Sequence, residues 1–72
     1  MYTVQYDPKI TYVVLVRNKY TSELNRVRRF KNYYRMLEYV DWVDNNLRNV
    51  DTQIIMKEKG KRSVDITLGV YS

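Results

Sequence analysis

The sequence predicts an α+β domain in which a single helix packs on an antiparallel sheet, in the order βββαββ. Two observations carry that prediction: short apolar stretches with strand alternation or β-branched content lie toward both ends of the chain, and one stretch of helical period lies between them. A third bounds it, because no repeat, low-complexity segment or Pro/Gly/Ser linker divides the 72 residues. The chain therefore reads as one domain, 1–72, with one modest core.

Tyr2, Val4 and Tyr6 alternate with Thr3 and Gln5, the period-2 pattern of a strand with one buried face. Asp7-Pro8-Lys9-Ile10 holds a turn, with Pro8 presetting φ. Residues 10–17 are β-branched and aromatic on both faces, which suits a central strand. After a loop over 18–23, residues 24–30 fit either a third strand or the start of a long helix. At about 100° per residue, Leu24, Val27, Phe30 and Tyr34 would form a stripe rotated by more than roughly 90° from that of Met36, Val40, Val43 and Leu47. One helix would then need two buried faces, so a strand ending near Phe30 is preferred.

Asn32 is the expected N-cap of a helix from about Tyr33 to Arg48. That helix would bury Tyr33, Met36, Leu37, Val40, Val43 and Leu47, and Asn49 would end it in a left-handed conformation. Two strands follow, 52–58 and 63–71, joined by the turn Lys59-Gly60-Lys61-Arg62. In the last strand Val64, Ile66, Leu68 and Val70 are expected to point inward.

Composition excludes more function than it assigns. There is no Cys and no His, so hydrolytic triads, thiol chemistry and zinc sites lack their usual parts. Glu38, Asp41 and Asp44 share a helix face but read as a solvated acidic surface, since calcium generally takes about 6 to 8 oxygen ligands. Two separate glycines build no phosphate loop. A binding protein without cofactor or metal is expected rather than an enzyme. The absent cysteines, the lack of a secretory signal and the short apolar runs further predict a cytoplasmic protein that does not insert into membrane. A core this small also makes a homodimer plausible.

The net charge of +5 is unevenly spread. Residues 17–35 carry seven basic groups against one acid, Glu23, a net of +6, whereas residues 36–52 have a net of −3. The stretch Arg26-Val27-Arg28-Arg29-Phe30-Lys31 is the leading candidate for binding nucleic acid, because Arg suits bidentate contacts to phosphate or guanine. With Val27 turned toward the helix, Arg26 and Arg28 would emerge together on the opposite sheet face, with Arg29, Lys31 and Arg35 nearby. Lys57, Lys59, Lys61 and Arg62 would add a second basic edge.

Tyr39 and Trp42 form the other candidate surface. They lie about 60° apart on the helix, with Arg35 and Asn46, on the side expected to face away from the core. Exposed aromatics of this size are enriched at protein interfaces, so docking on a protein partner is the alternative function.

The segment RVRRFKNYYRMLEYVDWV, in which strands run into Phe-Lys and then a helix, resembles the sheet-plus-helix DNA-binding modules of the integrase-arm type. The likeness spans about residues 10 to 47 and lacks the glycine and tryptophan landmarks of those strands. It implies a sheet face that enters a DNA groove, and it assigns no residue a role.

Overall fold

A computed structural model of the protein describes residues 9–71. They form β1 (Ile10–Asn18), β2 (Leu24–Phe30), α1 (Tyr33–Asn46), β3 (Val50–Glu58), β4 (Val64–Asp65) and α2 (Thr67–Tyr71). The four strands make one antiparallel sheet in the order β2-β1-β3-β4. The α+β class is as predicted, but the described order is ββαββα instead of the tail of βββαββ. The strand expected over residues 2–6 lies outside the described residues.

The core sits between α1 and one sheet face, where Val14, Val16 and Ile54 meet Met36, Val40 and Val43. Because side chains alternate along a strand and register partners share a face, these contacts fix the parity of the sheet. Even-numbered residues of β1 and β3, and of β2 from Arg26 onward, face α1, in the rows Phe30–Tyr12–Met56, Arg28–Val14–Ile54 and Arg26–Val16–Thr52; a bulge before Arg26 pairs Leu24 with Arg17. Odd-numbered residues, among them Val13, Leu15, Val27, Arg29, Ile55 and Lys57, lie on the opposite face, called open because no described helix packs on it. Val27 therefore points away from the helix and is 39% exposed.

That parity corrects the expected aim of the arginine strand: Arg26 and Arg28 lie on the helix face, not on the face opposite. The physical reason is Phe30, which is half-buried and packs 5.4 Å from Tyr39 at the edge of the core. Burying the larger ring there sets the alternation for the whole strand, and Val27 is left outside.

Asn32 caps α1 as predicted, its Oδ1 accepting from the N–H groups of Tyr34 and Arg35 at 2.8 and 3.1 Å. The helix buries Met36, Val40 and Val43, with Tyr33, Leu37 and Leu47 packed alongside. It ends at Asn46, two residues before Arg48. Leu47 leaves it in an extended conformation with its N–H still donating to the Val43 carbonyl at 2.9 Å. Asn49 does adopt φ 58°, but in the link to β3, so it turns the chain rather than closing the helix.

The expected final strand is replaced by a two-residue strand and a short helix. Ile66 begins a ladder pair by donating its N–H to the Ile54 carbonyl at 2.9 Å. The return bond is intercepted, because the Ile54 N–H donates to the Thr67 hydroxyl at 2.9 Å. The Ile66 carbonyl instead accepts from the Val70 N–H at 3.1 Å, a helical bond. Asp65 holds this switch, with Oδ1 accepting from both the N–H and the hydroxyl of Thr67 at 2.9 and 2.6 Å. Ile66 and Val70, four apart, still reach the core, while Leu68 stands 87% exposed. Among the described residues no helix is long and apolar enough to cross a membrane.

Candidate functional site

Three strand ends meet at one corner of the open face: the start of β1 and the ends of β2 and β3. There the surface forms a depression of about 440 Å³, lined by Lys9, Thr11, Val13, Arg29, Lys31, Lys57, Glu58, Lys59, Lys61 and Ser63. All of these except Glu58 are odd-numbered, so strand alternation itself gathers the cations on one face. Lys57, Lys59 and Lys61 recur every second residue along β3 and its turn, as do Arg29 and Lys31 at the end of β2.

Among the described residues, six basic groups and one carboxylate thus line the depression. Glu58 lies 3.3 Å from the Lys61 ammonium, three residues on. The Lys31 ammonium donates to the Thr11 hydroxyl at 2.7 Å, which ties β2 to β1 across the floor of the depression. Val13, at the base, is only 5% exposed, giving the charged rim an apolar floor. Gly60 turns the chain between Lys59 and Lys61 with φ 81°. A side-chain-bearing residue would be strained there.

Of the basic residues singled out from the sequence, Arg29, Lys31, Lys57, Lys59 and Lys61 come together here. Arg26, Arg28, Arg35 and Arg62 do not line it. Sequence reasoning missed Lys9, which it placed in a turn, and Thr11. Their spacing by two residues at the start of β1 is the signal that marks them.

Arg26 and Arg28 serve a different structure on the other face. The Arg28 guanidinium lies 5.3 Å from the Tyr39 ring centre and the Arg26 guanidinium 5.4 Å from that of Trp42. Phe30, Tyr39 and Trp42 form a row, with Tyr39 and Trp42 stacked at 6.0 Å. The aromatic pair expected to face away from the core therefore folds onto the edge of the sheet. Tyr39 is half-buried and its hydroxyl has no hydrogen-bond partner among the described residues; Trp42 keeps 43% of its surface. Asn46 is turned back along the helix, donating to the Trp42 carbonyl at 2.8 Å. Arg35 sits exposed in the first turn of α1.

The acidic residues of α1 are likewise dispersed. Asp44 accepts from the Tyr71 hydroxyl at 3.1 Å and so pins α2 to α1. Among the described residues no three His, Cys, Asp or Glu side chains are grouped so as to hold a metal ion. Compared with models of protein families, with curated proteins and with solved structures, the chain matches none, so no family model stands behind the likeness to integrase-arm modules.

Proposed function

We propose that the protein is a non-enzymatic nucleic-acid-binding protein that grips phosphate backbone with the basic corner of its open sheet face. The observation that carries this reading is the gathering of six cations around one depression on one sheet face. Lysines act there as point charges on successive phosphates, and Arg29 adds a bidentate donor. Leu15 and Ile55, half-buried on the same face, offer apolar surface for sugar or base.

Such binding depends on salt through counterion release, with a slope of about −0.9 per neutralised phosphate for duplex DNA and about −0.7 for single strands. With roughly four of the six groups engaged, log K against log salt should fall with a slope of about −3 to −4. Fluorescence anisotropy of a labelled oligonucleotide across a salt series measures it. Lys57→Ala with Lys59→Ala should reduce the slope by about 2 and weaken duplexes of unrelated sequence alike. A flat salt response would remove the reading.

A second reading, docking on a protein partner, rests on the exposed part of Trp42. It is the weaker one, because Tyr39 already packs between Phe30 and Trp42 within the chain. Loss of partner capture in Trp42→Ala, with Lys57 and Lys59 variants unaffected, would favour it. A homodimer would show as twice the protomer mass in light scattering.

A further inference from the structure

We propose that the outer edge of β2 is a second binding surface, one that takes an extended acidic peptide as an added strand. Backbone hydrogen bonds establish which groups that edge presents. Lys59 donates to the Lys9 carbonyl and Lys19 to the Asn49 carbonyl, both at 2.8 to 2.9 Å, so odd-numbered residues of β1 bond to β3. The N–H and C=O of one residue point to the same side of a strand and alternate along it. Even-numbered residues of β1 therefore bond to β2, through Arg26, Arg28 and Phe30. Val27 and Arg29 turn their backbone groups outward, where no described strand meets them.

The two edges of the sheet are unlike. The β4 edge is two residues long and is followed by α2, which packs along β3. The β2 edge is seven residues long, and six of the seven are exposed. Its side chains specify the occupant. Arg26 and Arg28 stand on the helix face of the edge strand and Arg29 on the open face, and among the described residues none of the three is in an ion pair. An incoming strand sets its own side chains beside these. Acids at two positions separated by one apolar residue would meet Arg26 and Arg28 and cover Val27.

Charge also decides against a second copy of this chain. Every antiparallel self-pairing through Val27 and Arg29 sets at least one Arg opposite another, which sheets disfavour. A charged edge does keep sheets from aggregating, yet that protection fails against a strand of opposite charge. Main-chain bonds then supply affinity and the arginines supply selectivity.

The test uses the whole protein and a short blocked peptide alternating Glu and Val, compared with its Lys-for-Glu counterpart. Amide hydrogen exchange is followed by NMR. The Glu peptide at about ten times its dissociation constant should slow exchange at Val27 and Arg29 roughly tenfold, leaving the already bonded Arg26 and Arg28 amides unchanged. Arg26→Glu with Arg28→Glu should reverse the preference to the Lys peptide. Val27→Pro, which an edge strand tolerates, should abolish protection at Arg29. The proposal is overturned if the Lys peptide protects equally or if neither does. Lys57→Ala with Lys59→Ala separates this edge from the basic corner: the variant should keep peptide protection even if it loses oligonucleotide binding. Loss of both would place the peptide in the depression and overturn the edge site.

Discussion

At the scale of single residues, the arginines of β2 show how strand alternation divides one side-chain type between two faces. Arg26 and Arg28 spread over Trp42 and Tyr39 on the helix face, whereas Arg29, one residue on, joins the basic corner. An exposed cation–π contact is worth about 0.5 to 1 kcal/mol. Arg26→Ala and Arg28→Ala should each lower stability by about that amount in urea titration, while leaving the salt slope of oligonucleotide binding unchanged. Tyr39 carries an opposite opportunity. Its buried hydroxyl has no partner among the described residues, and such a group costs about 1 to 3 kcal/mol, so Tyr39→Phe should raise the urea midpoint.

Two residues near the C-terminus make stability depend on pH in opposite directions. The Thr67 hydroxyl, followed by the Thr67 N–H and the Gln53 amide, holds Asp65 below its ordinary value of 3.8. A depressed carboxyl stabilises the fold above its unfolded pKa, and that contribution is lost as pH falls below 3.8 through the folded value. Burial, and then the charge of Asp44, raise the Tyr71 hydroxyl above its ordinary 10.0. Its contribution is complete below pH 10.0 and is lost as pH rises beyond it. Melting of Tyr71→Phe should show a shallower alkaline decline than that of the parent.

At the scale of elements, the sequence was most legible where local chemistry and core packing agree. Asn32 caps α1 because its amide oxygen reaches two orphan N–H groups, and the buried stripe follows from helical period alone. Asn32→Ala should cost about 1 kcal/mol, seen in the thermal midpoint. Residues 63–71 were misread because Val64, Ile66, Leu68 and Val70 fit a strand equally well, and alternation carries no record of a side chain that captures a ladder N–H. Thr67 does so at Ile54, with Asp65 locking it in place. Removing that hydroxyl in Thr67→Val should destabilise the fold by about 1 kcal/mol or more, since the Ile54 N–H loses its partner. Carbon chemical shifts over 67–71 should move toward extended values.

At the scale of the whole molecule, the charge imbalance legible along the chain is resolved into two faces. The linear +6 block of residues 17–35 does not form one surface, because alternation sends its members to both sides of the sheet. Five of the six cations of the basic corner, Arg29, Lys31, Lys57, Lys59 and Lys61, were marked in the sequence. That they share one face was hidden, because the parity of β2 depends on Phe30 meeting Tyr39 across the fold. Lys9 joins only because the start of β1 lies between the ends of its two neighbours. Six cations gathered on one side of a domain of net charge +5 make a field that favours polyanions.

The central claim is that this corner, and not the arginines over Tyr39 and Trp42, holds a nucleic-acid backbone. The most direct measurement is the salt dependence of oligonucleotide affinity for two variants side by side, Lys57→Ala with Lys59→Ala and Arg26→Ala with Arg28→Ala. The account predicts a slope reduced by about 2 in the lysine variant and unchanged in the arginine variant. The reverse pattern, or no salt dependence in either, would contradict it.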